Sequence, residues 1–377
     1  MSIFGSALNS LDKYLAKTRF DRSRQYMFNR TKKFVEKLDL PPLSQEEREM
    51  IAEQWKRLPI QPYENEYRLY KYHAGFDARF VTQDLQYPYF YNAINPAAER
   101  KALSNKGMFQ MYFSEIPQPQ TIITCISGVY FDKERKIIDS HEAEKLVRAH
   151  EECIVKPTIE TKQGKDIKII HPETDDISDL FTDKNGNYIV QEMLGQSPVT
   201  KQFNPTSLNT FRVTTIYLNG KVSLSSICFK FARNGERLDN LGHGGLFVGI
   251  DEDGRLHDFG VDKEYQKVFT CQDGKKIAGI YIPEVKKAID FAKHYHPVYF
   301  PTITMIGWDI ALDSKSQPIL IETNLISPGI QAEQFCYQQP AYGDRTEEVI
   351  DFVLSNPRHY LFLNDKDYSS EYFSKNT

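Results

Sequence analysis

Near the end of the chain, in the run GWDIALDSKSQPILIETNLISPG over residues 307–329, three oxygen-bearing side chains stand at a spacing that suits a divalent cation. Asp309 is placed at the end of one strand, a turn follows around Ser314 to Gln317, and Glu322 and Asn324 lie on the returning strand. Residues two apart on a strand project to one face, so Glu322 and Asn324 point together and a hairpin brings Asp309 beside them. Hard oxygens of this kind suit Mg2+, which keeps several waters and bridges protein carboxylates to nucleotide phosphates. The partner this predicts is ATP with its metal. The plain alternative is an Asp309 that caps a turn, with Glu322 and Asn324 on a solvated strand face.

The same residues resemble the ATP-grasp family, in which a magnesium-binding Asp precedes a Glu-x-Asn pair at a similar spacing. Ser327, Pro328 and Gly329 look like that family's Asn-x-x-Pro-Gly continuation, with Ile326 as an extra residue relative to D-alanine ligases. Further motifs follow in the family's order. CIVKP, residues 153–157, resembles the apolar strand whose lysine meets the nucleotide, which makes Lys156 the candidate. An ammonium leaving a buried strand is a point charge for phosphate, and Pro157 stops the ladder and opens a loop. Residues 158–166 stand where the family has its phosphate-covering loop, although only Gly164 is present where many members carry several glycines. Lys106, in ALSNKGMFQMYF, looks like the second phosphate lysine, with Asn105 in place of the usual Asp. NYIVQEML, residues 187–194, resembles the hinge strand against which adenine packs, with Gln191, Glu192 and Leu194 as its neighbours. The ribose-binding residue has no clear match.

Arg212 in NTFRV resembles an arginine of the glutamate-adding members, and RNGERLDNLGHGG over residues 233–245 resembles their Arg…Asn-Leu-x-x-Gly-Gly stretch. Charge that develops on an acyl phosphate and its tetrahedral adduct needs preorganised donors. Arg212, Arg233, Asn240 and the amides of Gly244 and Gly245 suit that task, while His243 reads as a general base or, at least as well, as a solvated loop histidine. The resemblance therefore implies a ligase that activates a carboxylate with ATP as an acyl phosphate and joins it to an amine. No covalent residue is expected, because positioning and charge neutralisation carry such a rate. Its cofactors would be ATP and Mg2+, two ions, with Mn2+ as a substitute. The resemblance is best to the sugar-transfer associated subgroup, through FDARFVTQDLQYPYFYNAINP, NPTSLNTFRV and IGWDIAL. That subgroup implies an amino acid or amine and a sugar carboxylate such as a uronic acid, free, nucleotide-linked or polymeric, in surface-polysaccharide biosynthesis. Two rivals stand beside it: a phosphotransferase acting on a sugar or small molecule, and a non-catalytic nucleotide-binding scaffold.

The elements that must position these residues are mixed. Residues 6–58 read as helices, since Leu8, Leu11, Tyr14 and Leu15 recur at helical spacing and Ser44 with Glu47 makes a capping box. Phe4, Leu8, Leu11 and Leu15 with the nearby Lys13, Lys17, Arg19 and Arg22 suit protein packing, a membrane surface being the other option. Strand-like runs then follow: TIITCI, CIVKP, KIIHP, NYIVQEML, FRVTTIYL, VSLSSICFKFA, LFVGID, MIGWDIAL and PILIETNL, with a helix around 283–295. Asn185–Gly186, Asn219–Gly220 and Asp253–Gly254 signal hairpins. Many strands with short turns predict α+β, and the resemblance implies an ATP-grasp fold of two α+β lobes sandwiching ATP, with a helical N-terminal region. The divisions are a helical region 1–65, an α/β lobe 66–150, nucleotide- and magnesium-binding lobes 151–345, and a tail with a helix, 346–377.

At 377 residues and 40% hydrophobic the chain can bury several lobes' worth of core. A net charge of −4 gives no basic field for nucleic acid. Five cysteines without a C-x-x-C pair fit reduced thiols, and no stretch is apolar enough to span a membrane. The expectation is a cytoplasmic protein without nucleic-acid partners, open to peripheral membrane contact, with a homodimer as the candidate assembly.

Overall fold

The computed structural model describes residues 3–158, 167–183, 185–233, 244–271 and 273–356. It opens on three helices, α1 (Ile3–Lys37), α2 (Gln45–Gln54) and α3 (Glu64–Ala74). The expected capping box starts α2: Ser44 Oγ accepts from the Glu47 amide at 3.1 Å, and Glu47 Oε2 accepts from the Ser44 amide at 2.8 Å. Two amides without helical partners are thereby satisfied. Along α1, Met27 and Val35 are buried whereas Leu11 and Tyr14 are exposed. Leu11 and Tyr14 thus lie outside the core of this chain, and the side chains of Phe4 and Leu8 lie outside the described residues. Below the helices, Trp55 donates from Nε1 to Tyr67 Oη at 2.6 Å and to the Ala78 carbonyl at 3.0 Å, so the aromatic core there is also hydrogen-bonded.

Two antiparallel sheets follow. The first has six strands: β1 (Thr121–Ile126), β2 (Val129–Asp132), β3 (Ile137–Ile138), β4 (Cys153–Pro157), β5 (Lys168–Ile170) and β6 (Tyr188–Glu192), in the order β3-β2-β1-β6-β4-β5. The second has seven: β7 (Thr210–Leu218), β8 (Lys221–Phe231), β9 (Leu246–Ile250), β10 (Leu256–Val261), β11 (Lys267–Val268), β12 (Met305–Leu312) and β13 (Pro318–Asn324), in the order β11-β10-β9-β8-β7-β12-β13. The mixed helix and antiparallel-strand architecture matches the α+β expectation. The strands β2, β3, β10 and β11 were not anticipated, being short or interrupted by polar residues.

Two hairpin signals behave as expected. Asn219 and Gly220, at φ 51° and 73°, make the two-residue loop between β7 and β8, and Gly254 takes φ 103° between β9 and β10. Asn185–Gly186 does not. It joins the helix Asp179–Thr182 to β6, because β5 pairs with β4 and leaves β6 to pair with β1 and β4.

Strand alternation sorts the seven-stranded sheet into two faces. Phe211, Phe229, Trp308 and Ile310 pack with Ala288, Ile289 and Ala292 of the helix Val285–Tyr299. The intervening residues Arg212, Lys230 and Asp309 therefore fall on the opposite face. Asp309 is not at a strand end: β12 continues to Leu312, and Asp309 is buried at 7% exposure. The turn's capping carboxylate is Asp313, which accepts from the amides of Lys315 at 2.9 Å and Gln317 at 2.8 Å.

Candidate functional site

Register assembles the site. Glu322 on β13 stands directly opposite Asp309 on β12, which stands opposite Arg212 on β7, which stands opposite Cys228 on β8. Arg212 grips Asp309 with two parallel bonds, Nε to Oδ1 at 2.8 Å and Nη2 to Oδ2 at 2.9 Å. The fork matches a carboxylate's two oxygens, which a lysine cannot do. Lys230 adds a contact to Oδ1 at 2.9 Å, and Asn324 donates from Nδ2 to Oδ2 at 3.2 Å. Burial alone would raise the Asp309 pKa, but Arg212 and Lys230 outweigh it and hold the carboxyl well below the usual range. Desolvation works against the Arg212 charge, and the Asp309 and Glu333 carboxylates overcome that and tighten its hold on its proton.

Glu333 closes the cluster from the helix Gln331–Tyr337, with Oε1 at 3.2 Å from Arg212 Nη1. Two glycines make this approach feasible. A Cβ on Gly307 would lie 2.4 Å from the Pro328 carbonyl oxygen, and one on Gly329, at φ 81°, would lie 2.3 Å from Glu333 Oε1. Pro328 returns the closeness, its carbonyl sitting 3.4 Å from Arg212 Nη1.

The six-stranded sheet contributes from the other side. Lys156 on β4 lies two residues along from Ile154, the residue opposite Gln191 on β6, so both side chains occupy one face. Lys156 Nζ donates to Gln191 Oε1 at 3.0 Å, and Gln191 in turn donates to Thr121 Oγ1 at 3.2 Å. Among the described residues no carboxylate pairs with Lys156. Burial lowers its pKa from 10.5 to about 8, with Lys106 pushing the same way and Glu322 opposing. Lys106 spans the two sheets: its amide donates to the Thr158 carbonyl at 2.8 Å, and its ammonium lies 2.7 Å from Glu322 Oε1. Asn105 supports it as the cap of a short turn, accepting from the Gly107 amide at 3.0 Å.

The segment after β6 carries the chain from one sheet to the other. Gln196 bridges to Asp313, the Ser197 amide donates to the Leu312 carbonyl at 2.9 Å, and Ser197 Oγ meets Ser316 Oγ at 2.9 Å. Glu192 and Leu194 are half-buried on this connection. Arg233 donates from Nε to the Gly244 carbonyl at 3.1 Å, and Gly244 takes φ 87° while Gly245 is buried. Asn240 and His243, and residues 159–166 of the expected phosphate loop, lie outside the described residues.

The donor set suits Mg2+ in type. Among the described residues no three His, Cys, Asp or Glu side chains gather as a cage; Mg2+ is an ion that takes one or two carboxylates. With Nδ2 of Asn324 committed to Gly307 and Asp309, its Oδ1 remains as an acceptor beside Glu322. Asp309 is more committed than the spacing implied, since four contacts from Arg212, Lys230 and Asn324 already meet its oxygens. In all, Arg212, Lys230, Lys106 and Lys156 gather with Asp309, Glu322 and Glu333. Lys230 and Glu333 were missed in the sequence. Lys230 carries a signal, an isolated charge on an apolar strand; Glu333 carries none, because its burial comes from packing against a distant strand.

Two antiparallel sheets, with Lys156 on one and the carboxylate–amide row Asp309, Glu322 and Asn324 on the other, are bridged by the contact of Lys106 with Glu322, an arrangement similar to that expected of the ATP-grasp class. Residues 177–349 match the model of the sugar-transfer associated ATP-grasp family. Over that stretch the chain is similar to this family, and its α+β architecture agrees with the fold that the resemblance implies. Solved structures similar to it include D-alanyl-alanine synthetase A from Vibrio cholerae O1 biovar eltor str. N16961, at 12% identity and TM-score 0.41, covering 67% of this chain and 65% of that one. The ATP-grasp ligase PsnB complexed with minimal precursor follows at 13% and 0.38, covering 69% and 64%. D-cycloserine synthetase DcsG stands at 14% and 0.38, covering 67% and 72%. This chain thus spans under two thirds of the first two, and likenesses of this size say nothing about substrate. No curated protein matches the sequence.

Proposed function

We propose that the chain is an ATP-dependent carboxylate–amine ligase that works through an acyl phosphate, joining an amino acid or amine to a sugar carboxylate in surface-polysaccharide biosynthesis. The observation that carries the reading is the surplus of positive charge, above all Lys156. An ammonium sealed in a strand with only a neutral amide oxygen as partner is costly, and an anionic ligand removes that cost. A triphosphate supplies the missing charge.

Glu322 and Asn324, with Asp309 beside them, would hold Mg2+, whose contribution is to neutralise phosphate charge. The protein's own groups account for the rest. Lys156 on β4 and Lys106, anchored by its amide at the end of that strand, are suited to grip phosphate oxygens between them. Arg212 and Lys230, locked by Asp309, present fixed positive charge where a transferred phosphoryl group and a tetrahedral adduct gather negative charge, and such preorganised donors cost no rearrangement during reaction. Gln191, Glu192 and Leu194 line the connection where adenine would pack, and Arg233 with Gly244 and Gly245 would stabilise the adduct. The similarity of residues 177–349 to a sugar-transfer associated family supports a sugar carboxylate as the acid.

Hydroxylamine tests this reading. Added to protein, Mg·ATP and a panel of uronic and amino acids, it should give a hydroxamate together with phosphate release. A phosphorylated product without hydroxamate would show a kinase instead, and nucleotide binding without turnover of any acid would show a scaffold.

A further inference from the structure

Beyond the metal residues the chain loops back against the N-terminal helices, and polar side chains from both sides meet there. Ser327, three residues after Asn324, donates from Oγ to Tyr87 Oη at 2.8 Å. Its neighbour Pro328 holds its carbonyl 3.4 Å from Arg212 Nη1, so this loop forms a wall shared with the ion cluster. Arg30 on α1 donates from Nη2 to Tyr265 Oη at 2.7 Å and lies 5.8 Å from the centre of that ring. Tyr265 Oη donates to Gln331 Oε1, and Gln331 donates to Glu66 Oε1 at 2.7 Å. Gln331 begins the helix that carries Glu333, so the chain of bonds that fixes Arg30 runs into the element that positions Arg212.

Two features set Arg30 apart. Among the described residues no carboxylate pairs with it, although a guanidinium brought into a partly desolvated place is normally paired. The acid on its own hydrogen-bond chain does not compensate it either, because burial pushes Glu66 up to about 8 and keeps it uncharged at neutral pH. Tyr265, which accepts from Arg30, donates to Gln331, and Gln331 follows Ser327 by four residues on the loop that meets Tyr87, so the guanidinium and the two hydroxyls border the same turn of chain. Arg30, Tyr87 and Ser327 are all half-buried.

We propose that Arg30, Tyr87 and Ser327 seat the acid substrate of the ligase, Arg30 binding its carboxylate and the Tyr87 and Ser327 hydroxyls meeting hydroxyl groups on the same molecule. The inference rests on the ligase reading and deepens it by giving the N-terminal helices a specificity role. A guanidinium with unused N–H groups suits a planar carboxylate, and two neighbouring hydroxyls can each donate and accept, which suits a polyhydroxylated acid better than a purely aliphatic one.

D-glucuronate, which carries both kinds of group, is the probe. It is titrated calorimetrically into the full chain, with and without saturating Mg·AMPPNP, in wild type, Arg30→Gln, Arg30→Lys and Tyr87→Phe. Glucuronate affinity should fall about tenfold or more in Arg30→Gln, the loss expected for a bond to a charged group. Arg30→Lys should lose less, keeping the charge without the fork, and Tyr87→Phe should lose severalfold. AMPPNP affinity should stay unchanged in all three, which also shows that they fold. If AMPPNP with Mg2+ does not bind the wild-type chain, the ligase reading falls and the seat falls with it. If the nucleotide binds but glucuronate does not, or binds Arg30→Gln as tightly as wild type, the seat alone is overturned.

Discussion

Replacing Lys156 by Met should stabilise the protein without ligand while crippling nucleotide binding. Each tenfold change in proton affinity corresponds to about 1.4 kcal/mol, so the fall of the Lys156 pKa from 10.5 to about 8 makes the buried charge cost about 3 kcal/mol at neutral pH. Methionine fills much the same volume without that charge. Against the gain stands Gln191 Oε1, which loses its donor at 3.0 Å, a loss of about 1–3 kcal/mol for a buried acceptor. The net change is a stabilisation of up to about 2 kcal/mol, read by urea unfolding. Below the ordinary lysine value and above the lowered one the unfolded chain binds the extra proton, so wild-type stability rises with pH from about 8 to 10.5. That rise should vanish in Lys156→Met.

Binding offers the sharper readout. A triphosphate beside Lys156 restores its proton affinity, so at pH 8 nucleotide binding should draw in about half a proton, and at pH 7 only about a tenth. Calorimetry in buffers of different ionisation enthalpy measures that uptake. Lys156→Met should bind Mg·ATP about tenfold or more weakly and take up no proton at pH 8. Equal uptake in mutant and wild type, or unaltered affinity, would refute the placement of Lys156 at the phosphates.

The two site carboxylates should separate in kind. Glu322→Gln should abolish turnover with stability altered by less than about 1 kcal/mol, since its contact to Lys106 is partly exposed; Asp309→Asn should cost about 3–5 kcal/mol in unfolding, because it removes the carboxylate charge that Arg212 and Lys230 share in the interior. Gly307→Ala should lose metal-dependent nucleotide binding, as its Cβ would push the Pro328 carbonyl out of a 2.4 Å approach; calorimetry with and without Mg2+ reads it. Glu66, raised from 4.5 to about 8 by burial, prefers to fold as the neutral acid, so stability should decline as pH climbs through that window and level off above it. Thermal melts between pH 5 and 9 should show that decline in wild type and a flatter profile in Glu66→Gln.

Much of this molecule was legible in local pattern. Ser44 and Glu47 start a helix by bonds that reach three residues, and CIVKP, FRVTTIYL and MIGWDIAL are apolar runs whose strand character needs no partner to be recognised. Alternation likewise determined that Glu322 and Asn324 share a face. Other features depended on what lies across the sheet. Asp309 read as a strand-end residue because nothing local shows that β12 continues to Leu312 or that Arg212 and Lys230 await it. Asn185–Gly186 carried a hairpin's residues but lacked a hairpin's neighbours, since β5 had already paired with β4. Glu333, Gln331 and Arg30 belong to helices whose periodicity is silent about which buried partner each will meet. Spacing along a chain fixes which residues share a face, whereas register and packing between distant segments decide what that face confronts, and the charge balance of this site is set wholly by such confrontations.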